Sequence, residues 1–318
     1  MPIHNNIQQN SFKLDLSPKS LSEYISNEKI KKIVAITINA CKEMNMVMGH
    51  TLITGPRGTG KTTLATLIAR ELGFSYKIIS ANAIDKLADL NTLFLNNFPK
   101  IIIIDEIHNL KPAFSDLMHE AMDNFKYGCI DEDNQIVTVS LNPFTLIGIT
   151  TDEGKLTAPM YSRFPKKYHL MPYTPLNLQK IVMKVSENNK INIDSDAAYE
   201  IAVRANGIPR IAVLYFVNVY EYALKYNNGI ITRDIVIDCF ELHSVDKKGL
   251  NDVQHEILKI LSTSKKPIGV ENLSQRIGVG VEALTKIYEP PLLSLGFIKR
   301  SSTGREITNA GKTHISQK

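Results

Sequence analysis

The 318-residue chain has few cysteines and lacks any long apolar segment. Cys41, Cys129 and Cys239 stand far apart and form no C-x-x-C pair, which argues against a disulfide framework and a cysteine zinc site. No apolar run approaches the roughly 18 residues that cross a membrane, and the N-terminus lacks a basic-then-apolar signal pattern. We therefore expect a cytoplasmic protein with reduced thiols and no membrane partner.

A strong excess of one charge sign is also missing. The 37 basic and 32 acidic residues give a formal net charge of +5, which by itself argues only weakly for nucleic acid. Apolar residues at 43% and charged residues at 22% are ordinary for a soluble globular protein. A chain of this length is expected to form two or three domains.

What the sequence does contain is a phosphate-binding loop in residues 53–63, I-T-G-P-R-G-T-G-K-T-T. It satisfies G-x-x-x-x-G-K-[ST] at Gly55, Gly60, Lys61 and Thr62, between a strand-like and a helix-like segment. Backbone N–H groups and the helix N-terminus can surround phosphate oxygens there. Lys61 is predicted to contact the β- and γ-phosphates and Thr62 to bind Mg²⁺. The pattern predicts a nucleotide site, and a glycine-rich turn without ligand is the weaker alternative.

A second motif is I-I-I-I-D-E-I-H, residues 101–108. Four β-branched residues in a row predict a strand buried on both faces of a parallel sheet. Asp105 and Glu106 follow at its carboxyl end, where open α/β sheets bind ligands. Asp105 is predicted to hold Mg²⁺ and Glu106 to activate the attacking water, so that the chain hydrolyses the nucleotide. We interpret His108 as a packing or hydrogen-bonding residue.

The order of predicted elements indicates the fold. Strands and helices alternate over residues 1–173, which predicts a doubly wound parallel sheet with a β-hairpin inserted at about 126–141. Residues 174–245 are predicted to be a small all-helical domain. Residues 246–318 show three amphipathic helices followed by strand–turn–strand, the pattern of a winged helix. Besides the strand ending at Asp105, the predicted strands of the sheet are residues 50–54, 76–80, 145–149 and 168–171.

The predicted wing carries Lys299, Arg300 and Arg305. Over residues 297–318 five basic side chains oppose Glu306 alone, a local charge of +4. We therefore expect the wing to contact phosphates of double-stranded DNA. A winged helix that binds protein, with a solvated basic tail, is the alternative.

With these motifs in order, the chain resembles the RuvB family of AAA+ ATPases over about residues 14–315. The most specific shared segments are P-F-T-L-I-G-I-T-T, G-I-P-R-I-A and G-F-I-K-R with the following G-R. The full set is L-S-P-K-S-L-S-E-Y-I (16–25), G-P-R-G-T-G-K-T-T-L-A (55–65), I-D-E-I-H-N-L (104–110), E-A-M-D-N-F (120–125), P-F-T-L-I-G-I-T-T (143–151), R-F (163–164), A-N-G-I-P-R-I-A (205–212), E-P-P-L (289–292) and G-F-I-K-R-S-S-T-G-R (296–305).

The resemblance implies an ATP-driven homo-hexameric ring that translocates double-stranded DNA and drives branch migration of Holliday junctions. It assigns Lys61, Thr62, Asp105 and Glu106 the roles given above. It also makes Thr151 the residue that senses the γ-phosphate.

The resemblance further implies contacts from outside these two motifs. Arg163 matches an arginine finger offered in trans to the neighbouring subunit's ATP. Arg300 and Arg305 match arginines that contact DNA. The remaining implied nucleotide contacts are Leu16 and Tyr24 at the adenine end, Gly58 and Thr63 in the loop, and Tyr173 and Arg210 at the hinge and small domain. Arg210 stands in the first turn of a predicted helix, where the helix dipole disfavours a cation, so an anionic partner is expected.

Several positions depart from the family pattern. Ser17 stands where the family has an arginine beside the nucleotide, Asp152 follows Thr151 in place of an arginine, and Thr303 replaces an arginine of the wing. The predicted hairpin is shorter than in the family, and its acidic turn, residues 131–134, replaces the small and apolar residues that dock RuvA. A RuvA-like partner is therefore implied by the resemblance and not by the hairpin sequence.

Two other functions stay open at this point. The chain could be an AAA+ winged-helix initiator or helicase loader that uses ATP as an assembly switch on DNA. It could also be a ring subunit that binds ATP without hydrolysing it, although Lys61, Asp105, Glu106 and Arg163 are all present.

Overall fold

The computed structural model describes residues 14–25, 28–95, 99–130 and 135–316. The chain divides into two compact units, one of residues 1–190 with 208–213 and the other of residues 191–207 with 214–318. The three domain ranges inferred from the sequence stay predictions.

The first unit contains a five-stranded sheet in which every pairing is parallel. Its strands are β1 (Thr51–Thr54), β2 (Tyr76–Ser80), β3 (Ile101–Asp105), β6 (Thr145–Thr150) and β7 (Lys166–His169), and β4 (Lys126–Ile130) and β5 (Ile136–Ser140) form a separate antiparallel pair. The strand order is β2-β3-β6-β1-β7. The predicted doubly wound sheet and the inserted hairpin are confirmed, and β7 begins two residues earlier than predicted.

Helices cover both faces of this sheet. They are α1 (Glu28–Glu43), α2 (Lys61–Leu72), α3 (Leu87–Leu95), α4 (Pro112–Asn124) and α5 (Ala158–Ser162), and the first unit also contains α6 (Pro175–Asn189). Ile101 and Ile103 of β3 pack in a core with α1 and α2, whereas Ile102 and Ile104 pack in a second core with α3, α4 and the hairpin. Burial on alternating sides explains why β3 is an unbroken apolar run.

The hairpin is anchored to the second of these cores. Tyr127 of β4 is fully buried, and its hydroxyl donates a hydrogen bond to Asn91 Oδ1 at 2.7 Å. The predicted acidic turn, residues 131–134, lies outside the described residues.

The second unit is helical and ends in a winged helix, as predicted. Its helices are α7 (Ser195–Arg204), α8 (Pro209–Tyr226), α9 (Arg233–Leu242), α10 (Asp252–Thr263), α11 (Val270–Ile277), α12 (Val281–Ala283), α13 (Glu289–Ser294) and α14 (Asn309–Ser316). Of α8, the part from Leu214 onward belongs to this unit. The wing strands are β8 (Ile298–Ser301) and β9 (Gly304–Ile307). Residues Leu284–Tyr288, between α12 and α13, form one π-helical segment. Helix α10 begins with a reciprocal capping box between Asn251 and Gln254.

Sequence reasoning missed α14. Its sequence, N-A-G-K-T-H-I-S, has weak helix propensity and no clear apolar period. Tertiary packing stabilises it instead: a Cβ at Gly311 would lie 2.4 Å from the Phe297 carbonyl oxygen, so only glycine permits this approach. Across the described residues, no helix has the length and apolar character needed to span a bilayer.

Candidate active site

A cavity of about 520 Å³ lies in the first unit, beside the loop between β1 and α2. Of the residues predicted to bind nucleotide or to hydrolyse it, most line this cavity. They are Leu16, Tyr24, Gly58, Gly60, Lys61, Thr62, Thr63, Asp105, Glu106, Thr151, Tyr173 and Arg210. The structure thus brings together residues separated by almost 200 positions, and the predicted contacts outside this set are Gly55 and Arg163.

The loop between β1 and α2 needs its glycines. Gly55, Gly58 and Gly60 have φ values of +138°, +80° and +91°, which side-chain-bearing residues rarely adopt. A Cβ at Gly58 would lie 2.8 Å from Ile208 Cγ2, and the Gly58 carbonyl accepts a hydrogen bond from the Arg210 backbone N–H. The three glycines thus let the loop form a backbone cradle at the N-terminus of α2, suited to an anion.

Lys61 lies inside this cradle. Its ammonium group donates hydrogen bonds to the carbonyl oxygens of Gly55 and Pro56, both at 2.9 Å. Burial lowers the pKa of Lys61, while Glu106 and Asp105 oppose that shift. Gly55 contributes through its carbonyl, since it does not line the cavity itself.

The acidic pair at the end of β3 faces the same cavity. Thr62 Oγ1 donates to Asp105 Oδ2 at 3.4 Å, so a hydroxyl and a carboxylate stand together where Mg²⁺ is predicted. Glu106 has a positive φ of 51°, a costly backbone conformation of a kind that clusters at functional sites. Thr151 Oγ1 donates to Glu106 Oε2 at 3.1 Å. His108 Nδ1 lies 3.4 Å from the same oxygen and 2.8 Å from Thr150 Oγ1, which agrees with its predicted hydrogen-bonding role.

Two tyrosines and one helix form a further part of the cavity wall. Tyr24 is buried, and its hydroxyl donates to the Gly60 carbonyl oxygen at 3.4 Å and accepts from the Tyr173 hydroxyl at 3.4 Å. Burial raises the pKa of both tyrosines, which keeps them neutral. Sequence reasoning missed one wall, formed by α6 residues Ile181, Lys184, Val185 and Asn188. Their i, i+3, i+4, i+7 spacing was the available signal.

Arg163 does not line the cavity of its own chain. Its Nε and a terminal nitrogen lie 2.8 and 2.7 Å from Asp123 Oδ2, and a further N–H donates to the Pro159 carbonyl oxygen at 2.8 Å. The arginine side chain is 24% exposed and the aspartate 44% exposed. Such a partly exposed pair contributes little to stability, so the guanidinium can exchange this partner at low cost.

The three predicted DNA-contacting cations of the wing all form ion pairs. Arg300 and Arg305 are direct register partners on β8 and β9, and both guanidinium groups bind the carboxylate of Glu289, which is completely buried. Arg300 also donates to the Thr285 carbonyl oxygen in the π-helical segment at 3.4 Å. Lys299 pairs with Glu306 at 2.8 Å.

These ion pairs change how the wing charge is interpreted. The local charge of +4 covers residues 297–318 and does not include Glu289, which precedes the wing in sequence but lies directly beneath it. Arg305 is 14% exposed and Arg300 is 44% exposed, so Arg300 is the arginine that presents more of its surface to solvent. DNA contact by Lys299, Arg300 and Arg305 stays a prediction.

Comparison with known proteins accounts for almost the whole chain. Consecutive segments match three family models: the Holliday junction DNA helicase RuvB P-loop domain over residues 16–170, the RuvB AAA lid domain over 173–246 and the RuvB C-terminal winged helix domain over 247–316. The structure of the Thermotoga maritima RuvB Holliday junction branch migration motor is 34% identical, with a TM-score of 0.82 over 95% of this chain and 98% of that chain. The chain belongs to the RuvB family.

Other solved structures extend this comparison. A point mutant of Thermotoga maritima RuvB is 33% identical with a TM-score of 0.84, over 95% of this chain and 99% of that chain. The Aeropyrum pernix ORC2 protein has a TM-score of 0.55 at 16% identity, over 96% of this chain and 97% of that chain. That last similarity shows the fold alone.

The residues of this RuvB-family chain fit a nucleotide with Mg²⁺. A glycine-rich loop, an ammonium group, a hydroxyl–carboxylate pair and two tyrosines occur in one cavity, which suits the phosphates, the metal and the base of a nucleotide.

A glycine substitution tests whether the conformation of the phosphate-binding loop requires glycine at position 55. In Gly55→Ala the new Cβ would lie 2.3 Å from the Leu170 carbonyl oxygen, at a φ of +138°. We expect a loss of several kcal/mol of unfolding free energy, or of ATP binding in whatever protein folds. Gly73→Ala is the matched control, because Gly73 also has a positive φ of +72° but nothing within 4 Å of the added Cβ. Equal thermal stability and equal ATP binding in the two variants would contradict this reading.

Proposed function

We propose that this chain is an ATP-driven ring motor that translocates double-stranded DNA and drives branch migration of Holliday junctions. The observation that carries the proposal is that four residues predicted to bind and hydrolyse ATP, Lys61, Thr62, Asp105 and Glu106, line one cavity of a RuvB-family chain. The chain is accordingly an ATP hydrolase, and its nucleotide site is the cavity beside the phosphate-binding loop.

We propose Mg²⁺ as the metal, held by Thr62 and Asp105, where it would neutralise phosphate charge. Lys61 binds the β- and γ-phosphates when its ammonium group exchanges the carbonyl oxygens of Gly55 and Pro56 for phosphate oxygens. Glu106 accepts a proton from the attacking water. Its hydrogen bond from Thr151 links that carboxylate to the residue predicted to sense the γ-phosphate.

We further propose that the chain acts as a homo-hexamer in which Arg163 reaches a neighbour's ATP. Arg163 lies outside its own cavity, and its contact with Asp123 is weak enough to be exchanged for a phosphate. A cytoplasmic location, and docking of a RuvA-like junction-binding protein through the β4–β5 hairpin, belong to the same proposal.

Stimulation of ATP turnover by DNA tests this function. A motor is expected to hydrolyse ATP steadily and severalfold faster with duplex or four-way-junction DNA than without it. An assembly switch would hydrolyse about once per loading event, and a binding-only subunit would not hydrolyse ATP at all. Absence of steady turnover with DNA in the assembled protein would contradict the motor function.

The first wing prediction concerns phosphate contact by Arg300, whose substitution also removes one of the two guanidinium partners of Glu289. Arg300→Ala should lower the magnitude of the slope of log binding constant against log salt by about 0.9, the value for one lost phosphate contact. The slope should fall equally for two unrelated duplex sequences, because phosphate contacts carry no base information. Salt titrations of duplex binding measure this, and an unchanged slope would mean that Arg300 does not hold phosphate.

Arg305→Ala is the informative companion variant. Removing this mostly buried guanidinium leaves the fully buried Glu289 with one partner, so we expect a loss of about 1–3 kcal/mol in stability as well as any loss of DNA contact. Thermal unfolding measures it. Wild-type stability in Arg305→Ala would show that Glu289 does not depend on this partner.

A further inference from the structure

The second unit contains a compact group of side chains that the ATP and DNA functions do not use. Asp246 follows α9, His255 lies on α10 and His314 lies on α14, so the group joins three separate segments of the chain. All three side chains are largely shielded from solvent, with 7%, 6% and 16% exposure.

The polar atoms of the group converge on one point. His255 Nε2 lies 2.8 Å and His314 Nε2 2.7 Å from Asp246 Oδ2, and one potential ligand atom from each residue lies within 4.8 Å of the others. Two imidazole nitrogens and one carboxylate oxygen are a ligand set that first-row divalent transition metals bind well.

The side chains around this point are held in orientation by contacts outside it. The other carboxylate oxygen of Asp246, Oδ1, accepts backbone N–H bonds from Lys248 at 2.7 Å and Leu250 at 2.9 Å, which leaves Oδ2 to face the histidines. The His314 ring stacks on Phe297 with centroids 4.6 Å apart. Supporting contacts of this kind orient the ligands of metal sites.

Hydrogen bonds offset the cost of burying the Asp246 carboxylate. Burial raises the pKa of this carboxyl, but hydrogen bonds from His255, the two backbone N–H groups and His314 outweigh burial and hold the pKa below its usual range.

We propose that Asp246, His255 and His314 form a binding site for one divalent transition-metal ion of the Zn²⁺ class. The ion would replace the two N–H protons that now lie between the imidazoles and Oδ2, with each proton moved to Nδ1 or released. Metal bonds of about 2.1 Å place neighbouring ligand atoms about 3.0–3.4 Å apart, so the nitrogen–oxygen separations must open by a few tenths of an ångström. The nitrogen ligands disfavour Mg²⁺ and Ca²⁺, and water would complete the coordination.

The metal would link Asp246, in the segment where the winged helix begins, to α10 and α14, the first and last helices of the winged helix. Because the metal binds the folded unit, it should stabilise that unit by an amount that grows with the logarithm of its free concentration. The site is separate from the proposed Mg²⁺ site at Thr62 and Asp105, which is in the other unit.

Titration of the metal into nucleotide-free, chelator-treated full-length protein tests the proposal. Co²⁺, followed by visible absorption, and Zn²⁺, followed by calorimetry, should each saturate one high-affinity site per chain. His255→Gln and His314→Gln should each weaken that site at least tenfold, and His243→Gln, at an exposed histidine of the same unit, should leave it unchanged. The unfolding midpoint should rise with Zn²⁺ in wild type and in His243→Gln only.

A measurement on the wild-type protein covers the case in which a variant fails to fold. Hydrogen exchange at the imidazole C2 atoms, resolved by mass spectrometry, should slow with Zn²⁺ at His255 and His314 and not at His243. The proposal is overturned by absence of a saturable site, by binding that survives both glutamine substitutions, or by unchanged exchange at both histidines.

Discussion

An Arg163→Ala variant is expected to lose steady ATP turnover by about 10³-fold or more while its own cavity still binds ATP. The physical reason is that Arg163 does not line that cavity, whereas an arginine finger stabilises transition-state charge on the phosphate of a neighbouring subunit. Its contact with Asp123 is the position from which it would be released. Steady-state turnover and equilibrium ATP binding, measured on the same preparation, separate the two effects.

Mixed rings test whether the finger acts in trans. Arg163→Ala subunits have an intact Lys61, and Lys61→Ala subunits have an intact Arg163, so one type of interface in a mixed ring holds both groups. Some turnover should therefore return on mixing two inactive variants. Arg163→Lys is the matched control that keeps the charge and loses the planar fork, and it should not restore full activity. No recovery in rings proven to be mixed would contradict the trans geometry.

The second large effect is expected at Glu106. Glu106→Gln should lower turnover by about 10²–10⁴-fold, because the amide cannot accept the proton of the attacking water, yet it should bind ATP. Thr62 and Asp105 are untouched in this variant, so ATP with Mg²⁺ should accumulate on assembled rings. Lys61→Ala differs, since it removes the cation from the phosphates and should weaken both binding and hydrolysis.

Glu153→Gln provides the comparison for charge loss alone. Glu153 is an exposed carboxylate in the segment after β6 and does not line the cavity. Its substitution should leave ATP turnover near wild type. Near-normal turnover in Glu106→Gln would remove Glu106 from its proposed role.

Much of the nucleotide site was predictable because its determinants are local. A glycine pattern between a strand and a helix specifies a phosphate loop within a dozen residues, and Asp105 follows its buried strand directly. Parallel pairing then brings the carboxyl ends of separate strands to one edge of the sheet, which is why two motifs forty residues apart line one cavity.

The features that sequence reasoning missed depend on long-range packing. Glu289 lies under the wing because the π-helical segment and α13 pack against β8. A charge count limited to the wing and the residues after it does not include this partner from the preceding helix. The pairing of Arg163 with Asp123 spans forty positions and has no short motif. Helix α14 forms on a surface that accepts only glycine at Gly311, which overrides its weak propensity.

The same limit applies to the Asp246–His255–His314 group. Each of these residues is unremarkable in its own segment, and no spacing among them matches a metal motif. Only the packing of α10 and α14 against the turn after α9 brings their polar atoms within 4.8 Å.

Branch migration of a synthetic four-way junction tests the central claim most directly. The assay uses a junction whose arms are homologous, with ATP and Mg²⁺, and compares wild type with Glu106→Gln, each with and without a RuvA-like junction-binding protein. If the protein is a motor, the wild type should convert the junction into separated duplexes in an ATP-dependent manner, with or without the RuvA-like protein. Glu106→Gln should not do so under either condition. The motor function would be contradicted by wild-type protein that hydrolyses ATP and binds the junction but produces no separated duplexes under either condition.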